Sequence, residues 1–420
     1  MRDMRDSGVE WIGEIPADWK LIQIKATASC KSEKSAYIGG AYVGLEHIES
    51  GSGKLLTDGS QRGIEVDSTV SSFDNTDILF GKLRPYLAKV AKPNFNGQCS
   101  TEILVLNPSP QINKDFLFWY LLNPAFIDAV NASTYGAKMP RANWSFIGSS
   151  YLSLPPMNVQ AAISRILNQK CTQVSTLIAN VQAQIEKLKA YKQSVITEVV
   201  TKGLDCSVTL KDSGVEWLGM VPEKWAVHRI ANLYSEHSEN GHEDLPILTV
   251  SINTGVSDYE VADADKDRVF IRMKDRSKYK RVCPGDLTYN MMRAWQGAFG
   301  AVRVDGMVSP AYVVAKPKNP AQIDSRYIEA LLRTPSAIEE MHRYSRGIVD
   351  FRLRLYWPEF RSIHICLPPI EEQTQIADYI DEKSKRIDKL IAIKQKKIDK
   401  LNEYKKSLIY EYVTGKRAAV

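Results

Sequence analysis

Residues 6–13 read Asp-Ser-Gly-Val-Glu-Trp-Ile-Gly, and residues 212–219 read Asp-Ser-Gly-Val-Glu-Trp-Leu-Gly. Each string runs on into a proline and, three residues later, a tryptophan: Pro16 and Trp19 in the first copy, Pro222 and Trp225 in the second. Seven identities in eight positions, followed by the same Pro and Trp, mark an internal duplication. Outward from these strings the correspondence continues. Asp77-Ile-Leu-Phe-Gly-Lys-Leu-Arg84 aligns with Asp286-Leu-Thr-Tyr-Asn-Met-Met-Arg293, and Gly97-Gln-Cys-Ser100 with Gly306-Met-Val-Ser309. Leu154-Pro-Pro-Met157 aligns with Leu367-Pro-Pro-Ile370. A repeat of about 210 residues lies far beyond the period of solenoids and implies two similar domains, each followed by the same connector. Between the shared anchors the halves diverge. The second carries the tract Arg268–Arg281, with seven Lys or Arg against one acid, and the first has nothing so dense. A common frame with divergent middles suggests two readers of different targets.

Within each half, short apolar and aromatic runs alternate with turn residues: Ile38–Leu45, Thr101–Leu106, Pro246–Val250 and Ala311–Val314 read as strands. Phe116–Leu122 and Arg326–Leu332 have helical spacing. Each half is therefore predicted to be a mixed α/β domain. The connectors are longer helices. Leu167, Cys171, Val174, Ile178, Val181, Ile185, Leu188, Val195 and Val199 recur at three- and four-residue steps, the seam of a coiled coil. Ile380, Ile387, Ile391, Ile398, Leu401 and Leu408 repeat that seam. Asn158 is expected to cap the first helix and Gly203 to end it, with Gly415 ending the second. Each helix would be about 44 residues, or roughly 65 Å at 1.5 Å per residue. Helices with an apolar stripe need a partner, and the chain supplies two of equal length. The antiparallel pairing is favoured, because Lys192 and Lys405 occupy the same seam position and would repel face to face in a parallel, in-register pair. Val413-Thr-Gly-Lys416 also resembles Val200-Thr-Lys-Gly203. The sequence thus looks cyclically arranged, with its two ends expected to lie close together.

A chain of 420 residues with 44% hydrophobic and 25% charged residues is long enough for several domains with real cores. Its net charge of +6 and pI of about 8.8 lean modestly towards a polyanionic partner. Cys30, Cys99, Cys171, Cys206, Cys283 and Cys366 are scattered, with neither zinc-ligand nor disulfide-framework spacing, which suits a reducing compartment. The charged start, Met1–Asp6, lacks an apolar signal core, and no run approaches a membrane span. The expected location is cytoplasmic, away from any membrane. Catalytic motifs are absent: Gly81-Lys82 and Gly415-Lys416 lack the rest of a phosphate-binding loop, and there is no His-Glu-x-x-His. Asn107-Pro108 and Asn123-Pro124 lack the second proline and aromatic expected of an adenine methyltransferase, and Asp381-Glu382-Lys383 reads as a solvated face of the second helix. No catalytic or metal-binding residue is assigned.

The duplicated DSGVEW string with its Pro and Trp, the D-x-L-x-x-x-x-R strand, the L-P-P exit and the paired helices together resemble the specificity subunits of Type I restriction-modification systems. The resemblance covers essentially the whole chain. It implies an α+β fold in which two mixed α/β target-recognition domains are separated by two long helices packed as an antiparallel coiled coil, with pseudo-two-fold symmetry. The expected divisions are 1–157 and 204–369 for the recognition domains, 158–203 and 370–420 for the helices. By the same resemblance each domain reads one half of a bipartite target in double-stranded DNA. The helices act as a ruler and, with nearby regions, dock two methylation subunits, and two motor-nuclease subunits complete the complex. S-adenosylmethionine, ATP and Mg are expected on those partners only. The competing readings are a coiled-coil adaptor without DNA reading, and a self-contained methyltransferase or nuclease.

Affinity for DNA needs Lys and Arg at phosphates, and specificity needs Arg, Lys, Asn or Gln at base edges. In the first domain the candidates are Lys82, Arg84, Tyr86, Lys138, Arg141 and Asn143. In the second they are Arg293 (aligned with Arg84) and Gln296 beside Trp295, and Arg352 (aligned with Arg141) with Arg346 and Arg354 close by. Arg272, Lys274, Arg276, Lys278 and Lys280 are candidates for backbone contact. Two alternatives stand beside these roles. Arg84 and Arg293 could pin the fold through a carboxylate, and Tyr86 and Trp295 could be core or rim aromatics. The Trp11/Trp19 and Trp217/Trp225 pairs read as structural.

Overall fold

The computed structural model describes residues 3–57, 69–136, 138–241, 244–260, 278–348 and 352–419. Contacts divide the chain into two compact units, Met1–Gln182 with Lys394–Val420, and Ala183–Ile393. In chain order the helices are α1 (Lys114–Leu121), α2 (Pro124–Ala132), α3 (Trp144–Ser149), α4 (Met157–Lys202), α5 (Ile230–Leu233), α6 (Ser325–Leu332), α7 (Pro335–Tyr344), α8 (Trp357–Phe360) and α9 (Ile370–Val413).

The first unit is built on an antiparallel sheet in which Ile103–Pro108 lies between Ala28–Lys31 and Ile78–Gly81, with Val90–Ala91 at the edge. A second four-stranded sheet joins Lys34–Ala36, Thr69–Phe73, Gly97–Ser100 and Tyr42–Val43. The second unit repeats the first sheet: Tyr312–Pro317 lies between Tyr234–His237 and Leu287–Asn290, with Phe299–Ala301 at the edge. Strands Ile103–Pro108 and Tyr312–Pro317, and helices α1 and α6, lie where the periodicity places them. Two expected strands shrink. Of Ile38–Leu45 only Tyr42–Val43 pairs, because Gly39 and Gly40 adopt φ of +88° and +97°, a conformation no strand accommodates. Of Pro246–Val250 only Val250 enters a strand.

The shared aspartates enter each central strand identically. Asp77 is fully buried, and its carboxylate accepts from the Lys31 amine (2.6 Å), the Asn107 amide (2.8 Å) and the backbone N–H of Asp74 (2.7 Å). Asp286, likewise buried, accepts from the backbone N–H of Cys283 at 2.9 Å, and burial pushes its carboxyl up. These carboxylates close the turn before the strand and belong to the frame.

The seam closes as its spacing requires. Leu167, Cys171, Val174, Val181, Ile185 and Val199 on α4, with Ile380, Ile387, Ile398 and Leu408 on α9, are all buried. Within the first unit Ser175 of α4 meets Lys405 of α9, and within the second Lys192 of α4 meets Asp388 of α9. Higher numbers on one helix meet lower numbers on the other, so the pairing is antiparallel. The two seam lysines find different partners: Lys192 an ion pair at 2.7 Å, and Lys405 the Ser175 hydroxyl at 3.2 Å. Helix α4 begins at Met157, one residue before the expected cap, so Asn158 lies inside its first turn. Gly203 and Gly415 end the helices with φ of +80° and +77°. Each packs on its unit's tryptophan: Gly203 against Trp225, and Gly415 against Trp19 and Pro16. Trp19 and Trp225 are buried at 2% and 1%, which makes them core residues as their pairing suggested. Trp11 joins the same core, its ring 5.9 Å from that of Tyr120.

The opening segment and the closing tail meet within the first unit. The Lys416 amine donates to the Ile12 carbonyl at 2.6 Å, and Ser153 Oγ to the Val413 carbonyl at 2.7 Å. In the second unit the Val200 carbonyl, at the place of Val413, accepts from the Tyr327 hydroxyl at 3.0 Å. Among the described residues no helix is long and apolar enough to cross a membrane, and no cluster of His, Cys, Asp or Glu is arranged to hold a metal ion. Burial pushes the Cys99 thiol up to about 12 and the Cys171 and Cys366 thiols to about 11, so these remain protonated core groups.

Candidate nucleic-acid interface

In the first unit the strand Ile78–Gly81 delivers Lys82 to a surface shared with the loop 135–141. The backbone fastens the two segments together. Arg84 N–H donates to the Pro140 carbonyl at 2.7 Å, Ala142 N–H to the Lys82 carbonyl at 2.9 Å, and Arg141 N–H to the Tyr135 carbonyl at 3.2 Å. Arg84 holds φ of 51° and Ala88 φ of 45°, so left-handed residues clamp both ends of the 3-10 turn Pro85–Leu87. Backbone strain of this kind persists only where surrounding structure enforces it. Here it thrusts Tyr86 outward, 52% exposed. Tyr135 and Met139 are exposed alongside it, as are Arg84 and Lys138.

All six sequence candidates of this half therefore converge, but they do different jobs. Arg141 is half-exposed and pairs through Nε with Glu102 Oε2 at 3.0 Å, and that carboxylate raises its already high pKa. Asn143 caps α3, its Oδ1 accepting from Phe146 N–H at 2.8 Å. Lys82, Arg84 and Lys138 have no ion pair among the described residues, so Arg84 does not pin the fold through a carboxylate.

The second unit builds the same surface with other side chains. Leu355 N–H donates to the Met291 carbonyl at 2.9 Å, and Arg346 and Arg354 exchange backbone hydrogen bonds, each 2.9 Å. The 3-10 turn Ala294–Gln296 ends in Gly297 at φ of 90°, where the first unit has the strained Ala88. Beside it opens a cleft of about 460 Å³ lined by Met292, Arg346, Gly347, Arg352, Leu353, Arg354 and Tyr356. Arg346 pairs with Glu359 at 2.6 Å while its side chain remains 74% exposed. Trp295 is half-buried: its indole N–H donates to the Met292 carbonyl at 3.1 Å and its ring lies edge-on to His342 at 5.6 Å. It is a rim aromatic, whereas Tyr86 is open to a ligand. Gln296 is exposed. Lys280 is half-buried with its amine on the Tyr312 carbonyl at 2.8 Å, and desolvation lowers its pKa. Tyr312 in turn lies in the field of Arg293. Arg272, Lys274 and Arg276 lie outside the described residues, and Lys278 stands at the start of the segment that continues into strand Lys280–Val282.

Residues 27–187 match the family model described as the Type I restriction modification DNA specificity domain. The MjaVIII specificity subunit of Methanocaldococcus jannaschii is 24% identical over an alignment taking in 96% of this chain and 93% of that protein. The EcoDI specificity subunit of Escherichia coli is 26% identical over 193 residues, 44% of this chain and only 42% of that relative's length. Among solved structures, a chain described under "complex assembly and conformational transition of the type I R-M system" shares the fold, with a TM-score of 0.71 at 16% identity over 95% of this chain and 98% of that one. Residues 27–187 thus carry a Type I restriction modification DNA specificity domain, and the chain is similar to specificity subunits along almost its whole length.

The chain carries this surface in two versions, and their backbone hydrogen bonds pair the two loops differently from the sequence spacing. Arg141 corresponds to Arg354, not to Arg352. Each arginine bridges back to the start of its loop, Tyr135 or Arg346, and the next residue, Ala142 or Leu355, donates to the strand that precedes Arg84 or Arg293. The second loop is two residues longer, which displaced the match. The spacing Arg141-x-x-Trp144 and Arg354-x-x-Trp357 is the signal that would have found it. The correspondence exposes a functional difference. Glu102, which holds Arg141, is replaced at the equivalent position by Ala311. Arg354 consequently has no ion pair among the described residues, and its guanidinium is available.

Proposed function

We propose that this chain is the DNA-sequence-specificity subunit of a Type I restriction-modification complex, each unit reading one half of a bipartite target in double-stranded DNA. The observation that carries this reading is the repeated surface. The same strand, 3-10 turn and returning loop occur in both units, while the side chains they present differ: Arg84, Tyr86, Lys138 and Met139 in one, Arg293, Arg346, Arg352 and Arg354 in the other. A constant backbone frame with variable cationic and aromatic tips suits a protein that positions itself on phosphates and reads base edges with a few side chains.

We read the chain as non-catalytic, with the paired helices setting the spacing between half-targets and docking two methylation subunits. Two motor-nuclease subunits would complete the assembly, and S-adenosylmethionine, ATP and Mg would bind those partners. The cytoplasm is the expected compartment, in keeping with six free cysteines. The test is genome-wide mapping of N6-methyladenine in cells expressing the cognate methylation subunit with and without this chain. A bipartite motif that appears only with the chain supports the reading and gives the target. No new methylation from a pair shown to co-purify refutes it.

A further inference from the structure

Each long helix leaves its domain through the same buried amide. After Leu154-Pro155-Pro156, Gln160 sits in the first turn of α4 at 1% exposure, and after Leu367-Pro368-Pro369, Gln373 holds the same place in α9 at 0%. Gln160 Nε2 donates to the Pro155 carbonyl at 2.9 Å while its Oε1 accepts from the backbone N–H of Asn113 at 2.8 Å. Gln373 Nε2 donates to the Pro368 carbonyl at 2.9 Å and the Gln322 carbonyl at 3.1 Å, and its Oε1 accepts from the backbone N–H of Asp324 at 2.9 Å. Asn113 and Asp324 are the N-caps of α1 and α6, the buried helices of their domains. One planar side chain therefore ties the prolyl turn that launches each long helix to the cap of the helix on which its domain is built.

A glutamine is the side chain that meets this demand, because its amide offers donor and acceptor in one rigid plane. The second proline of each turn has no N–H, and the buried peptide groups around it must find partners elsewhere. Further along the helices the ties differ. Asn168 joins Trp119 and Asp115, both at 2.9 Å, in the first unit, whereas Asp378 takes Arg326 at 2.7 Å in the second. The glutamine keeps its chemistry in both copies of this junction. Apolar packing between helix and domain is non-directional and tolerates small rotations. Hydrogen bonds weaken steeply off axis and do not.

We propose that Gln160 and Gln373 are positioning residues that set the angle at which each long helix carries its recognition domain. Through that angle they restrict the number of unspecified base pairs between half-targets. This inference rests on the DNA-reading function proposed above. Successive base pairs are about 3.4 Å apart, so a modest rocking of a domain on its helix brings the neighbouring spacer within reach.

The test uses the full chain with its methylation partner, carrying Gln160→Met, Gln373→Met or both. Methionine keeps the length and packing of the side chain and removes its hydrogen bonds. Mapped N6-methyladenine is expected to show the parent's two half-target sequences unchanged, with methylation now also at spacers one base pair longer or shorter. Should the double variant fail to fold, the single variants carry the same test. Variants that melt at lower temperature yet methylate only the parent's spacer would overturn the proposal, leaving the amides a stabilising role alone. Loss of one half-target sequence would overturn it too. Absence of any bipartite motif with the unmodified chain would instead refute the DNA-reading function.

Discussion

Lys405→Met is expected to stabilise the protein, and the structure gives both the size and the pH dependence of the effect. Lys405 lies in the helix seam of the first unit at 8% exposure, with the Ser175 hydroxyl as its hydrogen-bond partner at 3.2 Å. Desolvation lowers its pKa, and the neighbouring Cys171 and Glu49 offset that only in part. Replacing a buried ion pair by apolar side chains of similar volume is often stabilising by about 1–4 kcal/mol, and the same desolvation cost weighs on the Lys405 ammonium. The lost hydrogen bond returns about 0.5–1.5 kcal/mol of that, and little more, because Ser175 is exposed and water takes the vacated bond. The expected net gain at pH 7 is about 1 kcal/mol, which for a cooperative unit of this size corresponds to roughly 2–4 °C in Tm. The sign with pH follows from the direction of the shift. The folded state holds the proton less tightly than the unfolded chain, so the cost of burying Lys405 is fully present below its folded pKa. It is relieved as pH rises through that value towards the unfolded value of 10.5. The advantage of Lys405→Met should therefore shrink as pH rises from 7 towards 10.5. The assay is thermal and urea unfolding of parent and variant across that range. A variant less stable than the parent at pH 7, or an advantage that does not fall with pH, would refute the reasoning.

Further outcomes follow from the reading surfaces and the chain path. Arg352→Ala or Arg354→Ala should weaken or relax reading of one half-target only, by about 1–3 kcal/mol where the arginine reads a base. Mapped methylation with equal loss at both half-targets would point to misfolding instead. A circular permutant that joins the present ends and opens after Gly203 should fold with a Tm close to the parent's, because Lys416 already bonds the Ile12 carbonyl within one unit. Recovery of only aggregated protein would count against that closure. Inserting about four residues, near one helical turn, into both long helices should lengthen the unspecified spacer. An unchanged spacer in the methylation map would rule out a ruler.

Much of this protein is written locally. The two DSGVEW strings, the L-P-P exits and the three-four spacing of the apolar seam announce two similar domains and two long paired helices. Repeats and periodicities are one-dimensional properties, and burial acts on them position by position. Leu167, Cys171, Ile387 and Leu408 are buried because their spacing leaves them no other face. Gly203 and Gly415 end the helices because the left-handed conformation required there favours glycine. The segments that form the proposed surface were legible too, since Lys82, Arg84 and Tyr86 follow a recognisable strand and Arg141 a recognisable loop.

The tertiary structure decided what each of those residues does. Arg141 is held by Glu102 from 39 residues away, while Arg354, with Ala311 in place of that carboxylate, has no ion pair among the described residues. A loop longer by two residues hid the correspondence between the two arginines until their backbone hydrogen bonds were seen. Tyr86 and Trp295 occupy matching turns, yet strain at Arg84 and Ala88 exposes the first and His342 shelters the second. Gln160 and Gln373 stand at the same offset after each Leu-Pro-Pro exit, but their task is invisible until the chain folds back 47 or 49 residues to present a cap N–H. A periodic pattern records which face of an element is dry. It does not record which distant polar group will be brought within about 3 Å, because that depends on directional contacts made only after the elements have packed.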